Sequence, residues 1–250
     1  MFRIFIMLFC IVFSACVFAL PESGVPSGNQ FFVGLSAGPT WISGNKTQTL
    51  TLQPDVQKTY TADSSTPYFS TAEIFIGWQK PWIHSFIGQP LISQLGISIA
   101  TAGNAKLSGD IWEDADPDFN NFNYNYKIQH TQVALKGRLI SNSNFIVQPY
   151  VSGSIGVGFN HAYDFKIQPQ SSAEIAAPPF NSNTSTTFTY TLGIGLQKSL
   201  TTNLQIAVGY EFGDWGKIQL SRAAGQTLNQ GLTLSHLYSH QVQLSLFYIV

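Results

Sequence analysis

Cysteine is scarce in this 250-residue chain, and both copies, Cys10 and Cys16, fall near its start. No disulfide and no thiolate metal centre is expected in the remainder. Charge is scarce as well: Asp, Glu, Lys and Arg make up 10% of the residues, against about 25% in ordinary soluble domains. The signs nearly balance, with 12 basic and 13 acidic side chains and a formal net charge of −1, so there is no basic surface to gather a nucleic-acid backbone. Long apolar runs are also missing beyond residue 20, where none approaches the roughly 18 residues a membrane helix needs. Low charge without such a helix suits a sheet whose apolar side chains are dispersed over alternate positions.

The start is the exception. Arg3 precedes an apolar stretch from Ile4 to Phe13, followed by Ser14, Ala15 and Ala19. This layout reads as a secretory signal peptide over residues 1–19, cut after Val17-Phe18-Ala19, which leaves 20–250 as a single domain. A rival reading makes Ser14-Ala15-Cys16 a lipoprotein cleavage site; Phe13, where leucine is favoured, and the apolar residues past Cys16 weigh against it. Loss of Arg3 with the leader leaves 11 basic and 13 acidic residues, a net charge of −2, and no thiol.

What the chain does have is a period of two. From Gln241 to Val250, Val242, Leu244, Leu246, Tyr248 and Val250 share one parity while Gln241, Gln243 and Ser245 fill the other. That is a β-strand with one greasy and one wetter face. Seven earlier segments show related patterns. Phe31–Trp41 sets Val33, Leu35, Ala37 and Trp41 against Gly34, Ser36, Gly38 and Thr40; Thr71–Gln79 sets Ala72, Ile74, Ile76 and Trp78 against Thr71, Glu73, Phe75 and Gly77. Strand three runs from about Leu91 to Ala102, and strand four from Tyr126 to Ile140, with a parity change near His130 that suggests a bulge. Strands five, six and seven are centred on Val147–Phe159, Thr187–Leu196 and Leu204–Phe212. The connections 42–70, 103–125, 160–186 and 213–234 are long and polar; 80–90, 141–144 and 199–203 are short, with turns read at Lys80-Pro81-Trp82 and Ser141–Asn144.

Long and short connections alternate, so they gather at opposite rims of an all-β, eight-stranded antiparallel up-and-down transmembrane β-barrel. Hydrocarbon offers no partner to an unpaired N–H or C=O, which is why such a sheet has to close. Trp41, Trp78, Tyr190, Tyr210, Phe212 and Tyr248 lie toward strand ends on the outward parity, as interfacial aromatic girdles do.

On these residues the chain resembles the bacterial outer-membrane barrels of the OmpA transmembrane-domain, OmpX and opacity-protein type over nearly its whole mature length. The resemblance implies residence in the outer membrane among lipid and lipopolysaccharide, insertion by the barrel-assembly machinery through the last strand, and surface loops that engage a host or surface ligand. One departure bears on assembly: that last strand usually ends in Phe or Trp, and here Val250 is last. No domain of the peptidoglycan-binding kind is expected after it.

Four charged residues, Glu73, Lys136, Arg138 and Glu211, fall on inward parities, where opposite charges are expected to pair into a network that fills the lumen. An eight-stranded barrel is only wide enough for its own side chains. Glu73→Ala is then expected to leave a basic partner unpaired and to lower thermal stability. Glycines at 156, 158, 193 and 195 alternate within strands, unlike a phosphate-binding loop, and suit a narrow lumen. Asp114, Asp116 and Asp118 share the opening spacing of a calcium loop, but Phe119 replaces its glycine and Asn125 its closing glutamate. They read as a solvated acidic loop, with weak divalent-cation binding as the alternative. His236 and His240 are about 13 Å apart on a strand, too far to share a metal. Ser235, His236, Ser239 and His240 form no triad legible in sequence.

The function expected is non-enzymatic and without cofactor: a membrane anchor presenting long extracellular loops for surface interaction or envelope integrity. The alternatives are a small porin-like channel and a lipid A-modifying enzyme.

Overall fold

The computed structural model describes residues 28–44, 46–63, 68–86, 89–141, 146–170 and 178–250. The leader with its cysteines, and most of the turn read at Ser141–Asn144, lie outside the described residues. The long strands are β1 (Gln30–Ser43), β2 (Tyr68–Phe86), β3 (Gln89–Glu113), β4 (Asn120–Ser141), β5 (Gln148–Pro169), β6 (Asn183–Ser199), β7 (Leu204–Asp214) and β8 (Tyr238–Ile249). Each pairs antiparallel with its sequence neighbours, and β8 returns to β1, with Phe32 opposite Ile249 and Trp41 opposite His240. The ring is therefore closed, as the alternation predicts, and no barrel strand is left with an unpaired edge across the band.

The register sets large inward side chains beside small ones. Lys136 lies opposite Gly96 on β3 and Ser154 on β5, and Glu73 lies opposite Ser36 on β1 and Ala100 on β3. Those small neighbours let long side chains reach across the lumen. Gly195 and Gly209 are needed for the same reason: a Cβ on either would strike the phenol of Tyr150.

The barrel reaches much further than the apolar alternation suggests. β3 has 25 residues and β4 and β5 have 22 each, against about 9 to 11 for a tilted crossing of hydrocarbon. The stretch read as a long loop at 103–125 is mostly these extended strands. The stretch at 42–70 contains a hairpin, Gln48–Gln53 with Val56–Ala62, whose second strand adds to β3 from Lys58 opposite Glu113 to Ala62 opposite Gly109. Two further ladders, Ile218–Gln219 with Thr233–Leu234 and Phe180–Asn181 with Ser221–Ala223, tie the remaining long connections together.

Two other expectations need correction. The turn read at Lys80-Pro81-Trp82 is strand: these residues pair with Ser93, Ile92 and Leu91, and the hairpin continues to Phe86 opposite Gln89. Beyond Gln30 opposite Gln79, β1 no longer flanks β2, so Pro81 lies where a missing N–H is tolerated. The bulge read near His130 is not on β4, where every even residue from Phe122 to Ile140 is buried. The irregularities nearest to it lie on its neighbours, between Ala102 and Ala105 on β3 and around Asp164 (φ 57°) on β5, and β4 carries its own extra residue only at Asn121, near the hairpin tip. In β4 the apolar residues change sides while the backbone keeps its alternation.

Candidate functional site

The two faces of the ring differ in kind. Ile97 and Leu192 on the outside are 59% and 61% exposed, while Glu73 and Lys136 on the inside are 4% and 3% exposed. Leu35, Ile74, Ile99, Leu135, Ile155, Ile194 and Val208 continue the exposed apolar band around the circumference. Such a band is stable against hydrocarbon and not against water. The chain is a closed, membrane-spanning β-barrel. Trp78, with Phe31 packed on it at 5.9 Å, and Tyr248 mark the short-turn end of the band, and Tyr210 with Phe212 marks the other.

Inside, the short-turn end is floored by Phe32, Phe75, Tyr150 and Phe247 with Ile92, Ile140 and Ile249. Above this floor Lys136 donates from Nζ to Glu73 Oε1 and Oε2 at 2.8 and 2.9 Å and to Glu211 Oε2 at 2.8 Å. One ammonium thus joins β2, β4 and β7 across the lumen. Gln243 Nε2 donates to the other Glu211 oxygen at 3.3 Å. Arg138 stands apart from the carboxylates. Its guanidinium donates to Gln94 Oε1 at 2.8 Å and Gln197 Oε1 at 3.0 Å, and lies between the rings of Tyr150 and Phe247, 4.0 and 4.2 Å from their centroids. The amides carry the chain of bonds onward: Gln94 donates to Gln79, Gln79 to Gln30, and Gln197 to Gln205. With Arg138 on β4 these five glutamines form a belt that joins six strands. Sequence reading missed Gln79, Gln94 and Gln197, although each sits on an inward parity. A void of about 10 Å³ beside Lys136, Arg138 and Tyr150 has room for about one water.

The long-connection end is closed by a second apolar core above the band. Ile42, Leu107, Ile111, Phe122, Tyr124, Tyr126, Phe165, Phe180, Leu220 and Leu237 are buried in it. Burial pushes the phenols of Tyr60, Tyr124 and Tyr126 well above their ordinary range, assisted at Tyr124 by the Asp63 and Asp110 carboxylates. Trp215 seals the joint between core and lumen, stacked on His130 at 4.1 Å and packed on Phe69 at 5.8 Å. Asn160 holds this plug: Nδ2 donates to the carbonyls of Trp215 and Lys217 at 2.7 and 3.0 Å, and Oδ1 lies 2.6 Å from His130 Nδ1.

Asp114, Asp116 and Asp118 lie at the tip of the β3–β4 hairpin. Asp116 accepts from the Asp118 N–H at 3.0 Å and caps the short turn Pro117–Phe119, so its carboxylate is already used by its own backbone. No three Asp, Glu, His or Cys side chains converge as a metal site among the described residues. His236 Nδ1 is 2.7 Å from Asp214 Oδ2, and Asp214 Oδ1 accepts from the Gly216 N–H. Ser239 is buried inside and donates to the Gly213 carbonyl. His240 points outward between Tyr210 Oη (2.6 Å) and Ser43 Oγ (3.5 Å). The four Ser and His residues singled out in sequence are therefore not assembled together, and His240 instead meets Ser43, 197 positions away along the chain.

No family model and no curated protein matches the sequence. Among solved structures, the chain is similar to Neisserial surface protein A (9% identity, TM-score 0.48, covering 89% of this chain and 99% of that one). It is also similar to the outer membrane protein OprG of Pseudomonas aeruginosa (12%, 0.46, 90% and 98%) and to the outer membrane protease OmpT of Escherichia coli (9%, 0.44, 92% and 99%). These are likenesses of architecture, and the role of the chain has to be argued from its own side chains.

Proposed function

We propose that this chain is a non-enzymatic bacterial outer-membrane protein, a sealed membrane anchor that carries a structured platform above the outer leaflet for surface interaction or envelope integrity. The observation behind this reading is the double closure of the lumen: an aromatic floor, the Lys136–Glu73–Glu211 cluster, and the Trp215 plug beneath an apolar core. Among the described residues these layers leave a solute no continuous wet path, which supports the anchor reading over the porin-like alternative. Residues 1–19 act as the secretory leader, the barrel-assembly machinery inserts the strands, and Glu73, Lys136, Arg138 and Glu211 serve as the lumen filling. Planar-bilayer recordings of the refolded chain, with outer-membrane fractionation, test the proposal. The expected result is no stable open level in a heat-modifiable outer-membrane protein; a large, steady conductance overturns it.

A second reading rests on the outward array Ser43–His240–Tyr210, which stands where lipid esters lie. Nδ1 of His240 meets a phenol and no carboxylate, which leaves the imidazole without the acid that orients a catalytic base. Lipid A mass spectra that change with expression of the chain, and revert in Ser43→Ala, would favour this reading over the first.

A further inference from the structure

On the outer surface of β3, β4 and β5, just above the apolar band, the register brings like charges together. Lys106 on β3 is directly opposite Lys127 on β4. Such a cross-strand pair repels unless something neutralises it. The bulge at Asp164 turns that carboxylate outward between Lys127 (2.8 Å) and Lys166 (3.1 Å), an example of a bulge redirecting a side chain. Asp164 offsets one charge of three, and Lys106 has no carboxylate partner among the described residues. The three lysines keep a net charge of +2 against Asp164, and of +1 once Asp63 is counted, whose Oδ2 accepts from Ser108 Oγ two residues above Lys106 on the same face.

Its position is as informative as its charge. Phe159, opposite Thr131, is the last exposed apolar residue of β5 at this end. Lys127 is four residues further up β4, about 10 Å higher for strands tilted by about 40°. His161, opposite Gln129, lies between them and stacks at 4.9 Å on Tyr163, which is level with Lys127, an aromatic pair of the kind that settles at headgroup level. The headgroup layer is about 5 to 8 Å thick on each side of the hydrocarbon, and lysine stems can bend back toward it.

The geometry points to a binding site for phosphate-bearing lipid headgroups of the outer leaflet, with Lys106, Lys127 and Lys166 as the phosphate ligands, Asp164 as the spacer that holds two of them, and His161–Tyr163 as the platform toward the acyl chains. Continuity with the apolar band selects a lipid over a soluble anion. The inference rests on the outer-membrane reading above.

The test places the refolded chain in phosphatidylcholine nanodiscs doped with bisphosphorylated lipid A and counts retained lipid by native mass spectrometry. Wild type is expected to retain the phosphorylated lipid in preference to its dephosphorylated form, and apparent affinity is expected to fall about fivefold for each lysine removed in Lys106→Gln and Lys106→Gln/Lys127→Gln. Lys217→Gln, an exposed lysine outside the patch, is expected to behave as wild type, and millimolar inorganic phosphate to leave the lipid bound. Equal retention by the double variant, equal retention of the dephosphorylated lipid, or full displacement by inorganic phosphate overturns the site. Heat-modifiable migration of each variant reports separately on the barrel, so failure of the membrane reading is distinguishable from failure of the site.

Discussion

Removing the shared cation is the sharpest perturbation of the interior. In Lys136→Met, Glu73 and Glu211 lose the nitrogen that binds both at 2.8 Å. Oxygens held on one nitrogen at that distance are at most about 5.6 Å apart, and at an effective dielectric of about 20 their bare repulsion is about 3 kcal/mol. This agrees with the roughly 3 to 5 kcal/mol that follows from breaking a buried ion pair on one side. Glu73→Ala is milder than the sequence suggested, because Lys136 keeps Glu211; about 1 to 3 kcal/mol is expected from the lost charge-assisted bonds. Lys136→Met/Glu73→Ala restores the charge balance between Glu211 and Arg138, so it is expected to be more stable than the sum of the single losses predicts, by at least about 1.5 kcal/mol of coupling. Denaturant unfolding in phospholipid vesicles measures all four proteins. A Lys136→Met barrel within about 1 kcal/mol of wild type, or strict additivity in the double variant, would refute the reasoning.

Other substitutions probe the rest of the interior and the platform. Gly195→Val drives a branched side chain against the Val208 carbonyl and against Tyr150, pushing that ring off Arg138; a loss of about 1 to 3 kcal/mol in the same unfolding assay is expected from overpacking, with Gly195→Ala smaller. Trp215→Ala removes the plug and is expected to cost about 3 to 5 kcal/mol. Much of that loss should be local, so hydrogen exchange across residues 214–238 accelerates while the β2–β3 amides stay protected. Lys58 bonds Glu113 at 2.8 Å and holds its carboxyl below the ordinary range. That contribution is present above the unfolded carboxylate value of about 4.3 and is lost as pH falls through the lower folded value. The pair is half-exposed and screened, so the difference between wild type and Glu113→Gln is expected to be at most about 1 kcal/mol at pH 7 and to vanish in acid, as read from unfolding midpoints.

The membrane-facing half of the fold was legible because one rule governs it: in β1, β6, β7 and β8, apolar residues on one parity face lipid. The same rule misleads above the band. In β4 the apolar residues switch from odd (Val133, Leu135, Leu139) to even (Phe122, Tyr124, Tyr126, Ile128), yet every even residue points inward throughout. In β3 they stay odd, from Leu95, Ile97 and Ile99 to Ala105, Leu107 and Ile111, and the bulge after Ala102 carries them from outside to inside. Parity in sequence is converted to a face only by the backbone between, and bulges leave little trace in composition. Glu73, Lys136 and Glu211 could be assigned to the lumen by parity alone. Their sharing of one nitrogen, and the separation of Arg138 into a cage of glutamines and aromatic rings, depend on stagger between strands far apart in sequence, which parity does not encode.

These inversions have one cause. Along the barrel axis the external solvent changes from hydrocarbon to water, and the favourable location of apolar side chains changes with it, from outside to inside. The upper parts of β3, β4 and β5 obey the second condition with a core of their own, so they need no lipid to stay ordered. What the described residues carry above the membrane is consequently a sheet with fixed outward positions, among them Asn123 and Asn125. On the surface-interaction role proposed above, a partner would meet a preformed surface, which lowers the ordering cost of binding and leaves specificity to shape and charge. Substitutions at those outward positions change that surface without touching either core, so the platform can vary while the barrel beneath it stays the same.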